Sequence, residues 1–146
     1  MTSSRWGYFD SSVLVKRYVR EEASAAARRL LQRYRVLSSS VAPVEILSAL
    51  SRKRTAGELA QRDFLAIRSR LLKDRAYWEL VETGAIVLSQ AEELVQKTGL
   101  RTLDALHVAS ALTFQTASGL TVPFITADMR QRDTAEILAL NLIWVA

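Results

Sequence analysis

The sequence predicts an α/β fold, with a mostly parallel central sheet of about five strands flanked by helices. Two observations support this prediction. Short apolar runs that suit buried strands alternate along the chain with longer segments that have the periodicity of amphipathic helices. Acidic residues close or follow several of the apolar runs, and the carboxyl ends of the strands in an open α/β sheet share the edge where ligands bind. Strands separated by helices favour parallel pairing, with helices on both faces of the sheet.

Five apolar segments are the strand candidates. The first, WGYF, ends directly before Asp10, and the fourth, VPFIT, is the strongest of the five. The predicted strands are 6–9, 36–38, 84–88, 122–126 and 142–145.

The segments between these runs have helical periodicity. In residues 22–34, alanine and leucine recur at helical spacing while arginines lie on the opposite side. Pro43 falls in the first turn of a helix, where proline is tolerated, and Gly57 and Gly99 are expected to end helices. The helix over 58–77 is expected to bury Ala60, Phe64, Ile67, Leu71 and Leu72. The predicted helices are 11–19, 22–34, 40–55, 58–77, 89–98, 102–116 and a short one after Asp128.

Length and composition narrow the class of protein. At 146 residues the chain is expected to form one domain, 1–146, with a sizeable core. The absence of cysteine excludes disulfides and thiolate metal sites, and the single histidine excludes a multi-histidine cage, so any metal ligands must be mainly oxygen. No apolar stretch approaches the roughly 18 residues that cross a bilayer, and the first residues have no apolar signal region. We therefore expect a cytoplasmic protein without membrane contact.

The chain is basic, with a net charge of +5 and a pI near 10.0, which suits an anionic partner. Segment 52–75 contains eight basic and three acidic residues, so its net charge of +5 equals that of the whole chain. One interpretation is a solvated helix face. The other is a surface that follows phosphates or docks an acidic partner.

Four acidic residues stand out by their settings: Asp10 after the first strand, Glu45 within VAPVEILSAL, Asp104 in TLDALH, and Asp128 after FITA. The predicted topology brings them to one edge of the sheet. Two carboxylates about 5 Å apart repel by roughly 3 kcal/mol at an effective dielectric of ~20, so a cluster of them requires cations. Oxygen-only clusters are what Mg²⁺ or Mn²⁺ prefers.

Each acid also has a structural interpretation. Asp10, Asp104 and Asp128 lie at or near helix starts, where a carboxylate can cap free N–H groups. Asp104 fits that role less well because Thr102 offers a better cap. Glu45 lies in an apolar segment where an unpaired charge is costly, so a salt bridge or an interaction with the helix dipole is the alternative there.

Neighbouring polar residues are weaker candidates for the site. His107 lies one helical turn after Asp104; it either packs as a structural residue or orients a carboxylate. The Thr126 hydroxyl either holds a water or phosphate oxygen or bonds the backbone at the strand end. Ser11, like Ser12, is a candidate cap of the helix after Asp10. Arg101 is a candidate phosphate contact.

Four stretches of the sequence, taken together and in order, resemble the PIN-domain ribonucleases, and within them the VapC-type toxins of prokaryotic toxin–antitoxin pairs. The stretches are FDSSVLVKRYVREE, SSVAPVEILSAL, LRTLDALHVASAL and FITADMR, which span nearly the full length of the chain. The sequence departs from the family's pattern after Asp128, where Met129-Arg130-Gln131-Arg132 stand in place of a basic residue followed by leucine.

The resemblance implies a parallel sheet with surrounding helices and an acidic pocket that holds one or two Mg²⁺ or Mn²⁺ ions. By the family's pattern, the catalytic and metal-binding acids are Asp10, Glu45, Asp104 and Asp128, with Thr126 as the hydroxyl residue beside the last acid. It also implies cleavage of structured RNA, such as tRNA or rRNA, a homodimer, and inhibition by a small VapB-type antitoxin.

The function we expect is therefore a metal-dependent endoribonuclease that acts by metal-activated water. Two alternatives come from other classes. One is a catalytically silent module of the same fold that binds RNA or a protein through its basic helices. The other is a structure-specific DNA nuclease, although the chain has no obvious helical arch for threading DNA.

Overall fold

The structure, a computed structural model, describes residues 5–138 and 140–145, so positions 1–4, 139 and 146 of the predicted domain lie outside the described residues. In the described part, five strands form one sheet in which every neighbouring pair is parallel, in the order β3-β2-β1-β4-β5. The strands are β1 (Trp6–Phe9), β2 (Arg35–Ser39), β3 (Glu79–Val81), β4 (Phe124–Thr126) and β5 (Leu142–Trp144).

Seven α-helices connect and cover these strands in the same part of the chain. A short 3₁₀ turn, Val15–Arg17, continues the first of them. The helices are α1 (Ser11–Leu14), α2 (Ser24–Arg33), α3 (Ala42–Thr55), α4 (Gln61–Arg75), α5 (Ala85–Thr98), α6 (Thr102–Ser118) and α7 (Met129–Ile137).

The strand order explains why the helices divide between the two faces of the sheet. The chain steps outward from β1 through β2 to β3, then crosses back to the other side of β1 for β4 and β5. Because crossovers between parallel strands are right-handed, the two directions place their helices on opposite faces. Helices α1 to α4 pack with Phe9 on one face, whereas α5 to α7 pack with Tyr8 on the other. Successive side chains of a strand point to opposite faces, so the two fully buried rings of β1 belong to different cores, one on each face of the sheet.

The direction of the strand order reverses at β1, which pairs with β2 on one side and β4 on the other. A crevice at such a reversal, outside the carboxyl ends of the strands, is where open α/β sheets bind ligands. Asp10 directly follows β1, and Asp128 lies two residues beyond the end of β4. The fold thus brings two acids that are 118 positions apart to adjacent strand ends.

The predicted fold class is confirmed, and β1 has the predicted bounds. The prediction of the third strand is wrong, because residues 84–88 open helix α5 and the third strand of the sheet is Glu79–Val81. Val87, Ala91 and Leu94 are the buried side chains of α5, at helical spacing, and Val87 is the one buried residue of the run, since Ile86 and Leu88 are exposed. The real β3 is a three-residue, partly exposed edge strand, which needs few apolar residues.

Smaller differences concern helix faces and ends. The predicted helix over 58–77 is shorter, and Leu72, expected on its inner face, is 59% exposed, while Ala60 is also exposed. The predicted helix over 11–19 is α1 followed by the 3₁₀ turn. Gly99 does end α5, with φ of 71°, in the left-handed region that glycine adopts without strain. Within the described ranges, no helix combines the length and apolar character that a bilayer crossing requires.

Candidate active site

Asp10 is the most buried acid of the site, with 3% of its surface exposed. It leaves β1 with an extended backbone, and its carbonyl accepts from the amides of Val13 and Leu14, which starts α1. Its carboxylate does not cap that helix. The side chain is instead held against the ends of two strands and the first turn of α1.

Two hydroxyls fix the Asp10 carboxylate. Ser12 donates to Oδ1 at 2.5 Å, and Thr126, at the end of β4, donates to Oδ2 at 2.6 Å. Thr126 Oγ1 also accepts from the Asp128 amide at 3.0 Å, and Ser12 Oγ accepts from the Ala127 amide at 3.0 Å. This network ties β1 to the segment after β4, so both oxygens of a buried carboxylate have partners.

Glu45 lies in the first turn of α3, with 19% of its side chain exposed. Its Oε1 lies 2.5 Å from Nε2 of His107, a side chain of α6 that is 1% exposed. The other ring nitrogen, Nδ1, lies 2.7 Å from the hydroxyl of Tyr8 on β1. The salt-bridge alternative for Glu45 therefore corresponds to a real partner, and that partner is the one histidine of the chain.

Asp104 and Asp128 come from the first turn of α6 and the N-cap of α7. Arg130 lies between them, with Nε 3.8 Å from Asp104 Oδ2 and Nη2 3.5 Å from Asp128 Oδ2. Asp128 also accepts from the Arg130 amide at 2.9 Å, so the capping interpretation is correct for this residue. For Asp104, Thr102 is not the cap; Arg101 occupies the N-cap position and Thr102 is the first helical residue.

One cavity of about 630 Å³ collects these groups, within the size range of ordinary ligand pockets. All four predicted acids border it, together with the weaker candidates Ser11, Arg101 and His107. Thr126 does not line the cavity; it is fully buried, and its hydroxyl donates to Asp10. The remaining lining residues are Ser12, Thr102, Leu103, Arg130 and Gln131.

The electrostatics of the pocket disfavour negative charge on two of its acids. Burial raises the pKa of Asp10, and the Asp128 carboxylate raises it further, against the opposing effects of His107 and the two hydroxyls. Burial also raises the pKa of Asp104, as do the carboxylates of Asp128 and Glu45, against Arg130 and His107. For His107, burial lowers the pKa, but the carboxylates of Glu45, Asp10 and Asp104 together more than offset it, so the pKa is raised.

The donor set fits a hard divalent cation. The pocket offers four carboxylates, and two of them have raised pKa values that a nearby positive charge would lower. Over residues 5–138 and 140–145, no three acidic or histidine side chains are gathered tightly enough to hold an ion between them as they stand. Glu45 faces His107, and Asp128 faces its own helix and Arg130.

Sequence reasoning did not assign three of the contacts that shape the pocket. Ser12, which the sequence suggests only as a helix cap, bonds Asp10, whereas Ser11 is the serine predicted as a weaker site candidate. The spacing of two residues from the acid, typical of side-chain turns, was the available signal. Tyr8 was assigned only to a strand, although a buried tyrosine hydroxyl requires a partner. The sequence carried no signal for Arg130, because its position depends on how α7 approaches α6.

The basic segment 52–75 divides into two groups. Arg52 lines a neighbouring cavity of about 480 Å³ that also touches Ser12, Glu45 and Leu103. Other bases have partners within the fold: Lys53 pairs with Glu21 at 3.3 Å, and the guanidinium of Arg54 lies 4.0 Å from the ring centre of Phe64. Only part of the segment is therefore close to the acids.

Comparison with known proteins gives consistent results. The PIN domain family profile matches residues 7–137. The chain is 36% identical over 137 residues to Ribonuclease VapC46 of Mycobacterium tuberculosis (strain ATCC 25618 / H37Rv), which covers 93% of this chain and 95% of that protein.

Two solved structures have a similar fold. A toxin–antitoxin complex from Klebsiella pneumoniae matches with a TM-score of 0.60 and 13% identity, over 94% of this chain and 95% of that one. VapBC-5 from Mycobacterium tuberculosis, a member of the VapBC family of toxin–antitoxin systems, matches with a TM-score of 0.53 and 21% identity, over 97% and 98%. At these identities the two structures support the fold alone.

Proposed function

This chain belongs to the PIN domain family and is of the VapC type within it, and we propose that it is a metal-dependent endoribonuclease, the toxin of a VapBC toxin–antitoxin pair. The observation that carries the proposal is the pocket. Asp10, Glu45, Asp104 and Asp128 come from four separate elements and border one cavity at the carboxyl edge of the sheet. Burial and mutual repulsion make two of these carboxylates costly to ionise without a cation.

RNA as the substrate is supported by the relative that is 36% identical, whose name is Ribonuclease VapC46. The basic character of the chain is consistent with a polyanion. Arg101, exposed at the rim of the pocket, and Arg52, in the adjacent cavity, flank the acids and are the proposed phosphate contacts. We propose structured RNA, such as tRNA or rRNA, as the substrate class.

Asp10, Asp104, Asp128 and Glu45 would hold a Mg²⁺ or Mn²⁺ ion. When bound, such an ion supplies positive charge beside the scissile phosphate and lowers the pKa of the attacking water. The protein's own contribution is to hold the ligands in place. Ser12 and Thr126 orient Asp10, and the first turns of α3 and α6 carry Glu45 and Asp104. Arg101 would orient the RNA by binding its phosphate, as a charge-assisted donor does.

The proposal includes protein partners. The two solved structures reported above are toxin–antitoxin systems, so we propose a VapB-type antitoxin as the partner of this chain. A homodimer, which the family resemblance implies, is the proposed assembly. Exposed Val44 and Leu103 line the cavity next to the acids and offer an apolar surface for such a partner. A cytoplasmic location and a single domain over the whole chain remain predictions.

The deciding experiment is digestion of total tRNA and rRNA by the purified chain with Mg²⁺ or Mn²⁺. Asp10→Asn and Asp104→Asn should abolish cleavage but retain RNA binding, because each removes a pocket charge without changing side-chain size. Asp133→Asn is the matched control, since Asp133 is 62% exposed and pairs with Arg132 outside the pocket.

Each other outcome points to a different function. RNA binding without cleavage by the wild type, under all metal conditions, contradicts the proposal and favours a silent binding module. Cleavage of flap or single-stranded DNA in preference to RNA favours a DNA nuclease. Cleavage that persists equally in Asp10→Asn would mean that the pocket is not the active site.

A further inference from the structure

A buried chain of hydrogen bonds connects the core to one acid of the pocket. It runs from the Tyr8 hydroxyl on β1, through both ring nitrogens of His107 on α6, to Oε1 of Glu45 on α3, with contacts of 2.7 and 2.5 Å. Tyr8 is fully buried and His107 is 1% exposed. Three elements thus meet in one line of polar groups, and the two bonded pairs are 99 and 62 residues apart in sequence.

The chemistry of the three groups sets the direction of the hydrogen bonds. Burial, and the nearby Asp10 carboxylate, raise the pKa of Tyr8 well above its ordinary value, so its hydroxyl keeps its proton. An ionised carboxylate can only accept, so Nε2 of His107 must carry a proton and donate to Glu45. In the neutral ring Nδ1 is then an acceptor, which the Tyr8 hydroxyl satisfies by donating. In the neutral form, Tyr8 therefore favours the tautomer that His107 needs to bind Glu45, and in the charged form Nε2 donates to Glu45 as well.

Packing holds the Tyr8 end of this series of hydrogen bonds in place. The Tyr8 ring stacks on Phe124 of the neighbouring strand β4, with ring centres 5.2 Å apart and planes 6° apart. Tyr8 also lies two residues before Asp10, on the same strand. Strand β1 therefore carries one acid of the pocket directly and orients a second through Tyr8 and His107.

We propose that His107 is a positioning residue for Glu45, with Tyr8 selecting the tautomer of His107 that makes this possible. The inference rests on the proposed function, because it assigns a role at the proposed metal site. A glutamate side chain loses much rotamer freedom when it is held in one orientation. A carboxylate that is already oriented by His107 binds a cation without that loss, as outer partners of metal ligands do elsewhere.

A merely structural histidine would also destabilise the protein when replaced, so the test must separate the two roles. The variants are Tyr8→Phe, which removes only the hydroxyl and keeps the stack on Phe124, and His107→Phe, which keeps a ring without a donor. His107→Gln restores an N–H near the position of Nε2. Tyr18→Phe is the matched control, because Tyr18 is also a buried tyrosine that donates to a carboxylate, Asp74 at 2.7 Å, outside the pocket.

Two measurements besides activity are available. The affinity for Mn²⁺ alone is measured by titration, and the tautomer of His107 by ¹⁵N NMR at high pH, where the single histidine makes the spectrum unambiguous. We expect the Nε2–H tautomer in the wild type and a mixture in Tyr8→Phe. Affinity for Mn²⁺ should fall about 10- to 100-fold in His107→Phe, as for other outer partners of metal ligands, less in Tyr8→Phe, and should recover in His107→Gln.

The control should lose thermal stability and keep its Mn²⁺ affinity. A wild-type Nδ1–H tautomer, or unchanged Mn²⁺ affinity in both His107→Phe and Tyr8→Phe, overturns the positioning role. If His107→Phe does not fold, Tyr8→Phe decides by the same two measurements. A wild type that binds Mn²⁺ but cleaves no RNA contradicts the proposed function alone, since the affinities still test the role of His107. A wild type that binds no Mn²⁺ overturns both.

Discussion

Two regions of the molecule hold carboxylates whose pKa values shift in opposite directions. At one, Asp74 near the end of α4 accepts from Arg17 Nε at 2.9 Å and from the Tyr18 hydroxyl at 2.7 Å. Partial burial acts to raise the pKa of Asp74, but these two donors outweigh it and the pKa is lowered. At the other, the pKa values of Asp10 and Asp104 are raised.

Two things differ between the regions, the depth of burial and the supply of positive charge: Asp10 is 3% exposed, whereas the side chain of Asp74 is 23% exposed. Asp74 has a guanidinium partner of its own, which joins the turn after α1 to the end of α4. In the pocket, four carboxylates face His107 and two exposed arginines, Arg101 and Arg130. Asp74, which joins two parts of the fold, is paired with an arginine of its own. The pocket instead has an excess of acidic over basic side chains. Raised pKa values in a cleft are a feature of functional sites, and they support the proposed cation site.

The largest expected effect tests whether this excess charge is functional. Asp10→Asn should lower RNA cleavage at least about 100-fold, since loss of a ligand should exceed the 10- to 100-fold typical of outer partners. Asp74→Asn should leave the cleavage rate unchanged. Single-turnover cleavage of tRNA with Mg²⁺ measures both. Equal losses in the two variants would break the distinction between the regions.

Removal of the metal should affect the pocket and leave the contacts of Asp74 unchanged. At a concentration 100-fold above its Kd, Mg²⁺ stabilises the folded state by about 2.7 kcal/mol, or roughly 5–10 °C in Tm for a chain of this length. EDTA should abolish both this shift and cleavage. Thermal scans with and without Mg²⁺ measure it, and Asp104→Asn should respond weakly while Asp74→Asn responds like the wild type. A full shift in Asp104→Asn would contradict the assignment.

The Asp74 cluster should matter for stability and show a defined pH dependence. Asp74→Asn should lower the free energy of unfolding by about 1–2 kcal/mol, because bonds to a charged but partly exposed group are lost. The folded pKa lies below the unfolded value of about 3.9, so this stabilisation is complete above about pH 5 and disappears as pH falls through the folded pKa.

Urea unfolding of the wild type and Asp74→Asn, at pH 6 and again near pH 3.5, measures this dependence. The gap between them should be full at pH 6 and smaller near pH 3.5. A gap that widens in acid would mean that Asp74 is not the favourably paired carboxylate.

The smallest effect concerns Arg130, whose guanidinium lies between Asp104 and Asp128. Because Arg130 is a cation beside two of the acids, it should compete weakly with a metal ion. Arg130→Ala should therefore raise Mn²⁺ affinity, by a few-fold at most because the side chain is 56% exposed. Titration of Arg132→Ala is the control. Weaker binding in Arg130→Ala would show that Arg130 supports the site.

The prediction of the strands illustrates what the sequence could reveal. Segment 6–9 was correct to the residue, because a central strand with both faces covered is apolar and ends at a polar residue. The strand predicted over 84–88 is wrong because a short apolar run does not by itself distinguish a strand from a helix. The apolar residues of this run open helix α5, where Val87 is buried while Ile86 and Leu88 are exposed. The true edge strand, Glu79–Val81, is too short and exposed to be recognised.

For the candidate site, the sequence alone determined the supply of chemistry: oxygen ligands without cysteine, one histidine, and acids at the ends of apolar segments. Only the tertiary structure decided the pairing of these groups. Glu45 meets His107, Thr126 meets Asp10, and Arg17 meets Asp74, at separations of 57 to 116 residues. Local patterns set strand ends and helix starts, because those depend on neighbouring residues. The partner of a side chain depends on where other elements cross it in space, which no local pattern records.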